Sequence, residues 1–322
     1  MKTSLKLYLL LFAVVLLLSV TVLLLQGLPH LFSQAIEQTI FVQLRIPLAL
    51  TACLVGAALA LSSANLQVIL HNPLADPGII GITSGASLCA ALFLLLGGHL
   101  APQIIQYILP LCCFFGAILS TALIYMVARH LRNNHAAVIL AGIAISTISG
   151  AIIAWLHLFS DAQSMRNLTF WLMGSLHQAD WSVLSVALPV MLCLIVFLVR
   201  QGRALNWYYL GQSNAQLAGL DVHKFHKRTL LLCAVCVGAA VSIAGSIAFV
   251  GLLVPHLLRN IFGYDNRFIL PASALLGACL LVWVELISSF WLVISLPVSM
   301  ITASIGGPVF LLSIARLARR SG

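Results

Sequence analysis

Charged side chains are so scarce in this sequence that they could not cover the surface of a water-soluble protein. Asp, Glu, Lys and Arg make up 7% of the 322 residues, while hydrophobic residues make up 62%. Most of the surface must therefore face lipid. Because a membrane-spanning helix needs roughly 20 apolar residues, the chain has room for about ten spans and little else. We predict one membrane domain over residues 1–322.

Apolar windows separated by polar, proline or glycine breaks predict an all-α bundle. The ten predicted spans are 5–26, 46–69, 79–97, 108–128, 137–158, 183–199, 229–248, 251–262, 270–294 and 298–315. The first lacks the cleavage site of a signal peptide, so we predict that it is retained. The eighth is too short to cross about 30 Å as a regular helix. Gly251 and Pro255 favour a broken helix there with an irregular lead-in.

The distribution of basic residues predicts the orientation. If the N-terminus is cytoplasmic and the ten spans alternate, every Lys and Arg except Arg45 and Arg166 falls on the cytoplasmic side. Omitting one span would invert every later loop, so this bias also supports the number of spans. Both termini are then predicted to be cytoplasmic. The net charge of +9 is an orientation signal beside anionic lipid, and nothing in the sequence indicates nucleic acid.

Small residues recur at four-residue spacing in several predicted spans. They include Gly56, Ala60 and Ala64, then Gly142, Ser146 and Gly150, and later Ser273 and Gly277. This spacing predicts that helix backbones approach one another closely. All eight cysteines lie in apolar segments. We interpret them as packing residues and predict no metal site.

The largest predicted cytoplasmic loop covers residues 200–228 and is too polar to span the membrane. Its apolar residues at near-helical spacing are Leu210, Leu217, Ala218 and Leu220, punctuated by Gly211 and Gly219. The pattern predicts a short amphipathic helix at the cytoplasmic surface, between the sixth and seventh spans. Such a helix docks against a partner protein or rests on lipid headgroups.

Motifs for enzymatic chemistry are missing. The sequence contains no GxxxxGK[ST] phosphate loop, no HExxH and no GxSxG elbow. We therefore predict that the chain is not an enzyme, although an intramembrane enzyme stays open as an alternative. Acids embedded in spans reduce to Glu285, so a secondary transporter in which Glu285 carries ion coupling is a second alternative.

Six collinear blocks resemble one family. They are "RIPLALTACLVGAALALSSANLQVILHNPLADPGIIGITSGAS", "LAGIAIS", "WLMGSL", "LGQSNAQLAGLDV", "AGSIAFVGLLVPHLLRNIFGYDNRFILPASALLGACLL" and "LPVSMITASIGGPVF". They are similar to the FecCD-type permeases, the membrane subunits of ABC importers for ferric siderophores, haem and cobalamin. The resemblance implies an alternating-access permease in the bacterial inner membrane.

The same resemblance implies the partners. A second permease, identical or paralogous, would share a central path with this chain. Two cytoplasmic subunits would hold ATP and Mg, and a periplasmic or lipid-anchored binding protein would deliver cargo. The chain itself would bind no cofactor. A ferric siderophore is the expected cargo because it is the commonest among relatives, while haem, cobalamin and an oxyanion stay open.

Site residues follow from the resemblance by position. Coupling to the ATPase falls on the loop at 205–224, at Leu210, Gly211, Ala215, Leu217, Ala218 and Gly219. The cytoplasmic gate falls on Asn72, Pro73, Leu74, Asn134 and His135. The family often has small hydroxyl residues where Asn134 and His135 stand. A turn that is only a rigid connector is the alternative for residues 71–81.

The outer rim is predicted to carry Arg45, which could pair with a carboxylate of the binding protein. Relatives often have a second arginine where this chain has Leu48, and an anchor among lipid headgroups is the alternative for Arg45. Glu285 stands where relatives usually have Asp, near the middle of the predicted ninth span. His157 and His177 flank the outer connection after the fifth span. Direct metal ligation by them is not needed, because the cargo is already chelated.

Overall fold

The computed structural model describes residues 3–26, 35–96, 102–130, 135–178, 180–290 and 296–321. Every regular element in these ranges is helical. The helices are α1 Thr3–Leu25, α2 Ala35–Ile40, α3 Ile46–Ile69, α4 Ile82–Leu96, α5 Pro102–His130, α6 His135–Leu158, α7 Ala162–Leu172, α8 Trp181–Arg200, α9 Gly202–Tyr209, α10 Gln212–Leu217, α11 Val222–Ala244, α12 Val250–Phe262, α13 Asn266–Phe290 and α14 Val298–Ser321. A π-helical turn, Phe41–Arg45, joins α2 to α3, and a 3₁₀ turn, Leu176–Gln178, precedes α8.

Ten of these helices correspond to the ten predicted spans, which confirms the predicted fold class. Seven are long and apolar enough to cross a membrane, namely α1, α3, α5, α6, α8, α11 and α13, and shorter apolar helices lie within α4, α12 and α14. Some predicted boundaries were wrong. Helix α11 starts at Val222, earlier than predicted, because the Asp221 side chain accepts a hydrogen bond from the Lys224 amide and caps the helix.

Helix α3 is the centre of the bundle, since almost all its residues are buried. It packs against α13, α11, α12 and α8. At its crossing with α13, a Cβ atom on Gly56 would lie 2.2 Å from the Gly277 carbonyl oxygen, and one on Gly277 would lie 2.3 Å from the Gly56 carbonyl oxygen. The close approach predicted from the small residues is therefore confirmed at this pair.

The irregular lead-in to the eighth span is confirmed, but the predicted place of the break was wrong. Gly245 ends α11 with a φ of 70°, and Phe249 has a φ of 68° directly before α12. Gly251 and Pro255 both lie inside α12. Ser175 donates its amide to the Ala244 carbonyl at 2.9 Å, so the connection between α7 and α8 covers the backbone at the end of α11.

The two ends of the bundle are identified by contacts between distant segments. The inner end, named after the predicted orientation, joins α9 to the end of α3 and to the turn between α12 and α13. The outer end joins the start of α8 to the π-helical turn through a 2.8 Å hydrogen bond from Trp181 Nε1 to the Val42 carbonyl. Helix α7 also lies at the outer end and was not predicted; its cap is Asp161.

Candidate functional site

The coupling segment, residues 202–220, consists of two short helices and not the single amphipathic helix that we predicted. Helix α9 ends at Tyr209 and α10 begins at Gln212. Gly211 has a φ of 110°, a conformation that residues with a side chain rarely adopt, so the chain bends sharply there. The bend turns α10 away from the line of α9.

Apolar side chains of the coupling segment face outward. Leu210 is 67% exposed and Leu217 is 87% exposed, whereas Ala215 between them is buried. Ala218 and Gly219 are also exposed. Outward-facing leucines on a short polar helical segment are compatible with docking against a partner. The coupling role of these residues stays a prediction.

Gly219 provides a test of that role. It has a φ of 85° and a Cβ atom there would meet no other atom of this chain within 4 Å, so within the permease a substitution acts through the backbone conformation. Gly219→Leu strains this turn by about 1–2 kcal/mol and should displace the docking surface. We expect the variant to insert normally while losing most ATP-driven uptake, measured in proteoliposomes. Gly263→Leu is the matched control, because Gly263 has a φ of 82° and equally open space; normal uptake by Gly219→Leu would contradict the coupling assignment.

Tyr208 fastens the coupling segment to α3. Its side chain is fully buried, and its hydroxyl donates to the Ile69 carbonyl at 3.3 Å. The same hydroxyl lies 3.2 Å from Nδ1 of His226 on α11. Burial raises the pKa of Tyr208 to about 12, so the hydroxyl keeps its proton at physiological pH. The coupling segment is thereby joined to the last residue of α3.

A second contact ties α9 to the turn between α12 and α13. Asn206 Nδ2 donates to Asp265 Oδ1 at 2.8 Å, and Asn206 Oδ1 accepts from the Asn266 amide at 2.7 Å. The hydrogen bond from the Arg267 guanidinium holds the pKa of Asp265 well below its usual range. Sequence reasoning missed Asn206 and Tyr208; the only signal was the aromatic run "NWYY" in a loop that is otherwise polar.

The gate turn, residues 70–81, follows α3 directly. Helix α3 ends at Ile69, where the predicted span ends, and His71 takes a left-handed φ of 48° before Pro73. The Asn72 side chain accepts a hydrogen bond from the Leu74 amide at 2.9 Å, which folds the turn back on itself. Leu74 is 44% exposed, so its side chain is available to face a path.

Asp76 holds the gate turn against the bundle. Its carboxylate accepts from the Gly78 amide at 2.9 Å and from the Ser63 hydroxyl of α3 at 3.2 Å. A Cβ atom on Gly251 of α12 would lie 2.5 Å from the same carboxylate, so α12 presses on it closely. Burial raises the pKa of Asp76.

The second half of the predicted gate falls at the start of α6. Asn134 lies outside the described residues, and of His135 only the backbone is described, as the first residue of α6. The neighbouring part of α6 does contact the gate turn, because a Cβ atom on Gly142 would lie 2.2 Å from the Ile80 carbonyl oxygen. The gate assignment of Asn72, Pro73, Leu74, Asn134 and His135 stays a prediction.

At the outer end, Glu285 lies on α13, nearer to Phe290 than to Asn266. Glu285 is buried, and its Oε1 lies 3.5 Å from Nε2 of the exposed His177. Arg45, which is half-buried, lies near enough for its positive charge to attract the Glu285 carboxylate. His157 lies near the end of α6, whereas His177 lies in the 3₁₀ turn before α8.

Arg45 can be tested as a docking residue although it also lies near Glu285. Reversing its charge with Arg45→Glu should weaken association with the binding protein about tenfold, mainly through slower association. The measurement is surface-based binding kinetics on permease in nanodiscs at two salt concentrations. Because a new carboxylate would also repel Glu285, Arg45→Glu with Glu285→Gln is the matched control. Unchanged association in both variants would leave Arg45 as a headgroup anchor.

Comparisons with known proteins agree with this geometry. Residues 6–316 match the model of the FecCD transport family. The chain belongs to this family. This FecCD protein is 40% identical over 285 residues to the hemin transport system permease protein HmuU of Yersinia pestis, covering 88% of this chain and 85% of the relative. It is also 40% identical over 286 residues to the vitamin B12 import system permease protein BtuC of Vibrio cholerae, covering 88% and 84%.

A solved structure shares the whole fold of this FecCD protein. It is described as an inward-facing conformation of a metal-chelate type ABC transporter, and it superposes with a TM-score of 0.86 at 29% identity. The match covers 96% of this chain and 99% of that chain. This FecCD protein is therefore a multi-pass importer permease of the ABC type.

Proposed function

We propose that this permease moves a chelated metal across the bacterial inner membrane by alternating access, driven by ATP hydrolysis on separate subunits. The single observation that supports this most strongly is the coupling segment. It exposes Leu210 and Leu217 outward while Tyr208 and Asn206 join it to α3 and to the turn before α13. A partner that binds the exposed face can thereby move the inner ends of α3, α12 and α13.

Cargo is proposed from the relatives. Hemin and vitamin B12 are named for relatives that are 40% identical to this chain, so both are the first cargoes to test. A ferric siderophore, which we expected from the resemblance alone, is the third. All three carry their metal inside an organic ligand, and this permease would recognise the shape of that ligand without direct bonds to the metal.

The placement of acids favours ATP over an ion gradient. Five of the seven acids have structural roles or lie outside the spans: Asp161, Asp180 and Asp221 cap helices, Asp265 pairs with Arg267 in a turn, and Asp76 fastens the gate turn to Ser63. Glu37 lies on the short helix α2. Glu285 is the acid embedded in a span, and it is engaged by His177 at the outer end of α13. A secondary transporter usually needs acids that connect both sides of the membrane.

The partners are proposed as a second permease, two ATPase subunits at the inner end and a binding protein at the outer end. The test is co-expression with the neighbouring reading frames, purification and reconstitution into liposomes. We expect co-purification of an ATPase, and uptake of hemin, cobalamin or a ferric siderophore that requires ATP and persists without an ion gradient. Uptake that follows an ion gradient and needs no ATPase would contradict the proposal.

A further inference from the structure

Arg259 of α12 is a buried arginine without an acidic partner among the described residues. Its side chain is 7% exposed. The ion pairs of the described ranges all involve other cations. Two of its nitrogens, Nε and Nη1, have no hydrogen-bond partner in the part of the chain that the structure describes, and its guanidinium carbon lies 5.9 Å from the centroid of the Tyr264 ring. One cation–π contact offsets only part of the cost of burying a charge, so stability alone does not explain why Arg259 is there.

The remaining nitrogen of Arg259 joins two helices. Nη2 donates to the Ala64 carbonyl of α3 at 3.0 Å and to the Asn266 side-chain oxygen at 3.1 Å. Asn266 is fully buried at the first position of α13. Arg259 thus bridges the centre of the bundle and the start of α13.

From Asn266 the connection continues into the coupling segment. The Asn266 amide and its Nδ2 both donate to Asn206 Oδ1 on α9, at 2.7 and 2.9 Å. Helix α9 is also in close contact with the same turn, because a Cβ atom on Gly202 would lie 3.0 Å from the Arg267 Cα atom. We call the continuous series Asn206, Asn266, Arg259 and the Ala64 carbonyl the relay.

The relay ends beside the residue that holds the gate turn. Ser63, the neighbour of Ala64, donates its hydroxyl to Asp76 of the gate turn at 3.2 Å. A displacement of α9 that is carried to Ala64 therefore reaches the helix position to which the gate turn is fastened. Because each buried member would lose its partner if the relay broke, its members should move together.

We propose that Arg259 is a positioning residue that transmits the motion of the coupling segment to α3 and the gate turn. The proposal rests on the proposed function, since it describes how ATP-driven motion at the inner end reaches the path. In this role Arg259 acts through α3 and α9 and not on the cargo or on ATP.

The test compares Arg259→Met, Asn206→Ala and the double variant in the reconstituted complex, with the cargo that the wild type transports. Methionine keeps the apolar stem and removes the charge, so we expect an unchanged or higher unfolding temperature. ATP hydrolysis should persist while uptake falls about tenfold, which raises the ATP consumed per cargo by the same factor. Asn206→Ala should act alike, and the double variant should be no worse than the poorer single variant.

Arg200→Met is the matched control, because Arg200 is an exposed arginine at the inner end of α8. Unchanged ATP per cargo in Arg259→Met, a loss of uptake that parallels a lower unfolding temperature, or additive effects in the double variant would each overturn the relay. If Arg259→Met does not fold, Asn206→Ala decides the test. An ATP consumption per transported cargo equal to that of the wild type would then overturn the relay. Absence of ATP-driven uptake in the wild type would instead overturn the proposed function.

Discussion

Gly56→Leu is expected to abolish the folded permease. A Cβ atom at this position already falls 2.2 Å from the Gly277 carbonyl oxygen, and the obstacle is helix backbone that has no rotamer to change. Separating α3 from α13 should therefore exceed the about 1–3 kcal/mol of ordinary overpacking. We expect no monodisperse protein after detergent extraction, assayed by fluorescence-detected size exclusion.

The control for this variant is Gly150→Leu in α6, where a Cβ atom would meet nothing within 4 Å. It adds the same side chain to a helix of the same length class without a clash. We expect it to extract with a normal elution profile and unfolding temperature. A normal profile for Gly56→Leu would mean that α3 and α13 do not cross as closely as described.

Leu217→Asp is expected to remove the ATPase from the complex. Leu217 is the most exposed large apolar residue of the coupling segment, at 87% exposed, so the change should not harm the fold of the permease itself. If Leu217 enters an apolar cleft of the ATPase, a carboxylate there should weaken binding about thirtyfold or more. Both co-purification of the ATPase and ATP-driven uptake should be lost.

Leu217→Met serves as the control, because methionine keeps the apolar volume and should leave both measurements near the wild-type value. The unfolding temperature of the isolated permease should be the same in both variants. Retention of the ATPase by Leu217→Asp would place the docking contact elsewhere on the inner end.

The spans could be predicted from the sequence because lipid imposes one simple requirement on each of them. A spanning helix satisfies its own backbone, so apolar length alone locates it. Gly56 and Gly277 could also be assigned to helix contacts, since only small residues permit them. The resemblance supplied Leu217 and the other coupling residues, which hydropathy alone does not distinguish from a surface helix.

What could not be predicted depends on contacts between distant segments. Tyr208 bonds to Ile69 across 139 residues of sequence, and Arg259 bonds to Ala64 across 195. Helix α7 was not predicted because its sequence mixes polar and apolar residues. Such a sequence is equally typical of a loop and of a helix at the membrane interface. The break at Gly211 was missed because the glycine was interpreted as punctuation within one helix.

The central position of α3 has a consequence for biogenesis. This helix carries Ser62, Ser63, Asn65 and Gln67, all buried in the finished protein, yet α11, α12 and α13, which bury them, are synthesised long afterwards. During that interval the polar side chains need shelter at the translocon or from an insertase. Truncated chains ending before α11 should consequently be retained there and be prime substrates for membrane quality-control proteases.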